Sequence, residues 1–134
     1  MAHTRIHSGG AFEAMIGYCR AVKTDDGWIH VAGTVGVDPE TRKPPESVVD
    51  QCRCALDTIR DALNRAGAGF EDVVRVHYIL PDKADFEPCW PLLAETFGDN
   101  PPAATMFEAG LIDPVYKIEI EVTAKTRATA QHGP

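Results

Sequence analysis

From Tyr116 to Thr123 the chain alternates apolar and polar residues without a break. Tyr116, Ile118, Ile120 and Val122 fall on one side; Lys117, Glu119, Glu121 and Thr123 fall on the other. A period of two belongs to a strand, so this segment predicts a strand over 116–124 with one packed face and one polar face. The run Asn100-Pro101-Pro102-Ala103-Ala104-Thr105-Met106-Phe107-Glu108 just before it reads as a second buried strand, over 103–109. Two strands so close together require a sheet, and a sheet packed on one side requires helices to pack against.

The longest helical pattern supplies one of them. Val49, Cys52, Leu56, Ile59 and Leu63 recur at steps of three and four, with Val48, Ala55 and Ala62 widening the stripe. Arg53, Asp57, Arg60, Asp61 and Arg65 take the other side, and Asp61 to Arg65 is a favourable i,i+4 pair. Glu46 or Ser47 begins this helix, and Gly67 ends it by allowing a left-handed cap. Asp85–Phe97 reads as a second, shorter helix, with Pro88 in its first turn and Pro91 a source of distortion. Val73–Leu80 is β-branched and apolar and reads as a central strand. Tyr18–Thr24 and Trp28–Gly33 flank Asp25-Asp26-Gly27, a hairpin signal because Asp-Gly tolerates the positive φ of a tight turn. Val37–Pro45, with Asp38-Pro39 and Pro44-Pro45, reads as a loop. With a short first strand near Ile6, the order is that of an α+β domain: a mixed sheet of five or six strands with two helices on one face. The other face is uncovered, which predicts a partner chain if it carries apolar residues.

At 134 residues and 44% hydrophobic, the chain suits one domain over 1–127, followed by a frayed polar tail over 128–134. No run reaches the roughly 18 apolar residues that span a bilayer, and the first residues carry no apolar leader, so the expectation is a cytoplasmic protein. Cys19, Cys52, Cys54 and Cys89 lack zinc-ligand spacing and read as reduced thiols. Cys52 reads as core and Cys54 as partly exposed. A net charge of −7 repels phosphate backbones and disfavours nucleic-acid partners.

No phosphate-binding loop or nucleophilic triad signature is present. Gly33-Thr34-Val35-Gly36 is too short for a phosphate loop and reads as a strand-ending bend. His3, His7, His30, His77 and His132 are scattered, so no metal site is predicted. Glu119 is the best candidate for a catalytic carboxylate, because a partly buried carboxylate on an apolar strand can hold water or move a proton. From pattern alone the alternative is that Lys117, Glu119 and Glu121 form a solvated outer face.

Read in order, several pieces resemble the Rid family (reactive intermediate deaminases; the YjgF/YER057c/UK114 family). They are Ile16-Gly17-Tyr18, the hairpin ending Val31-Ala32-Gly33-Thr34, and the helix from Val49 to Asp57. Gly69 to Val76, Asp85-Phe86, Pro102-Ala103 with Glu108, and Ile118-Glu119-Ile120-Glu121 follow. The resemblance implies a chorismate-mutase-like fold of the bacillus type and a homotrimer with a central barrel and clefts between subunits. It also implies hydrolysis of enamine or imine intermediates to 2-keto acids and ammonia, with no metal or organic cofactor; the expectation of no nucleic-acid and no membrane partner comes from the charge and the hydropathy.

The resemblance places Tyr18 at the family's tyrosine, Gly33 at its glycine and Glu119 at its water-positioning glutamate. Thr105 stands for a serine, and Met106 for a residue that is often cysteine. Ala104 occupies the place of the arginine that anchors the substrate carboxylate, and Trp90 that of a polar residue. An alanine offers neither charge nor a fork of donors. A simple 2-imino acid is therefore not the expected substrate. Arg20, which alternates with Tyr18, reads first as a surface arginine; if it instead reaches the cleft it supplies the charge, and otherwise the cleft, lined by Trp90, Met106 and Phe107, takes a less anionic, more apolar small molecule. A ligand-binding trimer without catalysis is the alternative, and the ribonuclease or translation-inhibitor reading is a further one.

Overall fold

The computed structural model describes residues 3–127; the tail expected over 128–134 lies outside the described residues. Six strands and three α-helices are present among them: β1 (Thr4–Ile6), α1 (Ala11–Ile16), β2 (Ala21–Lys23), β3 (Trp28–Val35), α2 (Val48–Arg65), β4 (Val73–Leu80), α3 (Trp90–Phe97), β5 (Ala103–Glu108) and β6 (Glu119–Lys125). They form one mixed sheet in the order β1-β2-β3-β6-β4-β5, in which only the β4–β5 pair is parallel.

The 18-residue α2 forms where its stripe required. The Ser47 side chain accepts the Asp50 amide as an N-cap, and Gly67, at φ +85°, turns the chain out of the helix. Its buried face (Cys52, Ala55, Leu56, Ile59, Ala62 and Leu63) packs with Ile29, Val31, Val76, Ile120 and Val122 from the sheet. The opposite side carries the Asp50–Arg53, Asp57–Arg60 and Asp61–Arg65 pairs. Gln51 departs from the pattern. It is fully buried, donates to the carbonyls of Pro45 and Val115, and accepts the Lys117 amide, so it ties the loop before α2 to the entry of β6. A Cβ at Gly36 would land on the Gln51 carbonyl, so the end of β3 can approach α2 only with glycine there.

Five elements differ from the sequence expectation, the first being β2, which spans Ala21–Lys23 rather than 18–24. The short helix α1 gives too few turns for a 3.6-residue period to show. Asp85–Phe97 enters as two 3₁₀ turns, Lys83–Asp85 and Glu87–Cys89, before becoming α-helical at Trp90, with Pro91 in the first turn where a missing N–H is tolerated. Ladder pairing in the last strand starts at Glu119, although burial of the Ile118, Ile120 and Val122 face holds as expected. The strand over 103–109 is not buried: β5 is a sheet edge and all of its residues are exposed in the single chain. No helix among the described residues is long and apolar enough to cross a membrane.

Candidate functional site

The registers sort the candidate residues onto two sides of the sheet. Ile79 of β4 lies between Glu119 of β6 and Phe107 of β5, and His77 lies between Glu121 and Thr105. Side chains in such rows share a face, so Glu119, Glu121, Thr105 and Phe107 belong to the face away from α2. In the next rows over, Tyr78 lies between Ile120 and Met106, and Val76 between Val122 and Ala104. Ala104 and Met106 therefore point to the helix side. Within one chain, position 104 and Glu119 are on opposite faces.

A bulge builds the Glu119 side. Val31 pairs with Val122 and Thr34 with Ile120, so β3 spends three steps where β6 spends two. The extra residue re-aims the strand, as bulges beside sites commonly do. It turns Thr34 into the interior, at 2% exposure, and brings Gly33 under Glu119. A Cβ at position 33 would overlap the Glu119 carboxylate, so glycine is what lets the two strands and that side chain fit. Burial raises the Glu119 carboxyl above the ordinary carboxylate range and the neighbouring Glu121 adds to this, while Arg20 opposes both. His77 Nδ1 lies 2.8 Å from Glu121 Oε1 on the same face.

Arg20 is not a surface arginine. Its side chain is 11% exposed. Nη1 donates to the Gly33 carbonyl at 2.9 Å and to Thr34 Oγ1 at 3.1 Å, and the guanidinium stands 5.5 Å from the centre of the Tyr18 ring. Tyr18, Arg20, Gly33 and Glu119 thus form one cluster, although 18 and 20 precede β2 rather than lying in a longer strand.

The second group is apolar. Ala104, Met106 and Trp90 line a cavity of about 370 Å³ with Tyr78, Phe86 and Phe97, and no charged side chain lines it. Phe86 bridges Tyr78 and Trp90, with ring centres at 5.2 and 6.1 Å. Thr105 is on the other side of β5, 3.4 Å from Arg75 Nη1, and Phe107 is beside it, two strands from Glu119. Thr105 and Phe107 thus open onto a different face of the sheet from Ala104 and Met106.

Sequence reasoning missed Glu13. Flanked by Phe12 and Ala14 in a six-residue helix, it offered no periodic signal. The glycines bracketing the helix, Gly10 before and Gly17 after, were the available clue.

The model of the family described as Endoribonuclease L-PSP matches residues 9–126. The chain belongs to the YjgF/YER057c/UK114 family. A RutC family protein of Pyrococcus horikoshii is 32% identical over 108 residues, 80% of this chain and 85% of that one. A 2-iminobutanoate/2-iminopropanoate deaminase of Capra hircus is 31% identical over 122 residues, 90% of this chain and 88% of its own. A YjgF/YER057c/UK114 family structure from Mycobacterium tuberculosis superposes with a TM-score of 0.84 at 34% identity, covering 93% of this chain and all of that one. The mixed six-stranded sheet that carries the bulge under Glu119 is a YjgF-family fold.

Proposed function

We propose that this YjgF-family chain hydrolyses an enamine or imine other than a simple 2-imino acid, at clefts between the subunits of a homotrimer with the chorismate-mutase-like barrel arrangement. The observation that carries the reading is the cluster of Tyr18, Gly33 and Glu119, in which burial favours the protonated form of a carboxyl set against a glycine backbone. Deaminase relatives supply the reaction class.

In the proposed reaction Glu119, as carboxylate, accepts a proton from water as the water oxygen adds to the C=N carbon. Glu119 passes that proton to the nitrogen, the added hydroxyl gives up its own proton to the nitrogen as the C–N bond breaks, and ammonia leaves while a carbonyl compound remains. Tyr18 and the Gly33 backbone orient the substrate. Backbone N–H groups around Thr105 and Met106, on the edge strand, polarise it. No metal or organic cofactor enters the scheme.

Two observations favour an assembly. A ligand touching both Glu119 and position 104 must meet them from different chains, since they are on opposite faces of one sheet. Phe12, Met15 and Ile16 of α1 and Met106, Phe107, Ile112 and Val115 near β5 are exposed apolar side chains, the surface a second copy would cover.

Ala104 favours a second reading, a ligand-binding trimer without catalysis. The ribonuclease named in the family description is disfavoured by the −7 charge. The deciding experiment measures ketone and ammonia release from 2-iminobutyrate and from bulkier, uncharged imines. Release from the uncharged imines that Glu119→Gln abolishes supports the deaminase. If no imine is consumed and the variant changes nothing, the ligand-binding reading replaces it. Elution at a monomer's volume in size exclusion would remove the trimer.

A further inference from the structure

Glu13 is 3% exposed, which is rare for a carboxylate without partners. Here the partners are present. The Ser8 amide is 3.2 Å from both of its oxygens, the Ser8 hydroxyl donates to Oε2, His7 Nδ1 is 3.4 Å from Oε1, and Arg20 Nη2 is 3.7 Å from Oε2. Its main chain serves the same segment, since its carbonyl accepts the amides of Gly17, at φ +92°, and Tyr18, both at 2.9 Å. One residue thus anchors, by side chain and backbone, the stretch that delivers Tyr18 and Arg20.

Arg20 has two carboxylates within reach of its charge, Glu13 and Glu119. It bonds the Gly33 carbonyl while Glu119 rests against the Gly33 α-carbon. Its Nε is buried with no hydrogen-bond partner, and a buried guanidinium with an unused donor is drawn to any carboxylate beside it. The Ser8 and His7 contacts keep Glu13 in place as the competitor.

We infer that Glu13 is a positioning residue: it commits Arg20 to the Gly33 carbonyl and the Tyr18 ring, and so leaves Glu119 free to hold water. The role given to Glu119 rests on the proposed function; the competition for Arg20 does not. Charged or titratable groups on the Glu119 side are Glu121 beside it on β6, His77 on β4 paired with Glu121, Arg75 on β4 and His30 on β3 further along the same face, and Tyr18 and Arg20 ahead of β2, with Glu13 behind Arg20. Removing the Glu13 charge releases Arg20 toward Glu119, whose carboxyl the guanidinium charge already pulls down, and this favours the ionised form of Glu119.

The test is a carbon-13 NMR titration of the Glu119 carboxyl in the full chain, assigned by its loss in Glu119→Gln. Glu13→Gln is expected to lower the Glu119 midpoint by about half a unit or more, and Ser8→Ala by less in the same direction. A folded Glu13→Gln protein with an unmoved midpoint overturns the inference. If that variant does not fold, nitrogen-15 spectra of wild-type Arg20 decide. Separate, slowly exchanging Nη signals support a pinned guanidinium, and a single averaged signal overturns it. Should the enzyme consume imines, the acid limb of kcat/KM moves with the midpoint. Should it consume none, the proposed function fails while the titration still judges Glu13.

Discussion

The β3 bulge and the β5 edge hold candidate residues by opposite means. At the bulge, Arg20, Gly33, Thr34 and Glu119 are fixed by named hydrogen bonds and by a contact that excludes any Cβ at position 33. At the edge, Trp90, Ala104 and Met106 surround an apolar cavity with no charge to orient a ligand. The difference is one of physical means: polar contacts and a backbone fit hold the Glu119 side, whereas packing of apolar side chains alone shapes the Ala104 side. Under the proposed function, chemistry and specificity would sit on separate parts of the sheet, so that one could change while the other is kept.

The largest expected effect breaks the bulge side. Glu119→Gln should lower imine hydrolysis by about 10²- to 10⁴-fold, the usual contribution of a positioned acid–base group, measured as kcat/KM on the best uncharged imine. Activity within a factor of three of wild type would show that the cluster is not the reacting centre. The next test restores what the edge lacks. Ala104→Arg should raise kcat/KM for 2-iminobutyrate by roughly ten- to a hundredfold, the worth of a charge-assisted bond of about 1.5–3 kcal/mol, with little gain for uncharged imines. An equal change for both substrates would break the division of labour.

A smaller effect is expected of Gly33→Ala, whose methyl group must displace the Glu119 carboxylate. A loss of about tenfold, or ~1.4 kcal/mol in the barrier, with the fold intact by circular dichroism, would sharpen the role of the bulge. The smallest is a matter of stability. Because the folded-state pKa of Glu119 is raised, its favourable contribution is complete below the ordinary carboxylate value and is lost as pH rises through the folded value. Glu119→Gln should therefore melt slightly higher than wild type at pH 7 and no higher at pH 4. Glu13 has the opposite sign. Burial pushes its carboxyl up, but the Ser8 contacts, the Arg20 charge and His7 outweigh it and hold the carboxyl below its usual value. The stability it provides is present above that usual value and is lost as pH falls through the depressed one, so Glu13→Gln should cost melting temperature at pH 7 and progressively less in acid.

Much of the framework was legible in the residues. The α2 stripe, the Ser47 and Gly67 ends, the Asp-Gly turn and the buried side of the last strand all follow from local periodicity and turn chemistry, which act over a few residues. The bulge was not legible, because Val31-Ala32-Gly33-Thr34 looks like any strand end until its partner shows a mismatched count. Nor was the exposure of β5, because an apolar strand reads alike at the centre of a sheet and at its edge. Arg20 looked like a surface residue because the carboxylate that buries it, Glu13, comes from a helix too short to announce itself.

By itself, the sequence determined the α+β class and the family, and it named Tyr18, Gly33, Glu119 and Ala104 as candidate site positions. These are properties of residue identity and spacing. The tertiary structure alone decided that Ala104 and Glu119 face opposite ways, that Arg20 is committed to Gly33, and that Glu13 stands behind it. The physical reason is that strand register and the competition between buried charges are set by contacts between segments far apart in the chain, and no local pattern encodes which of two carboxylates a guanidinium will meet.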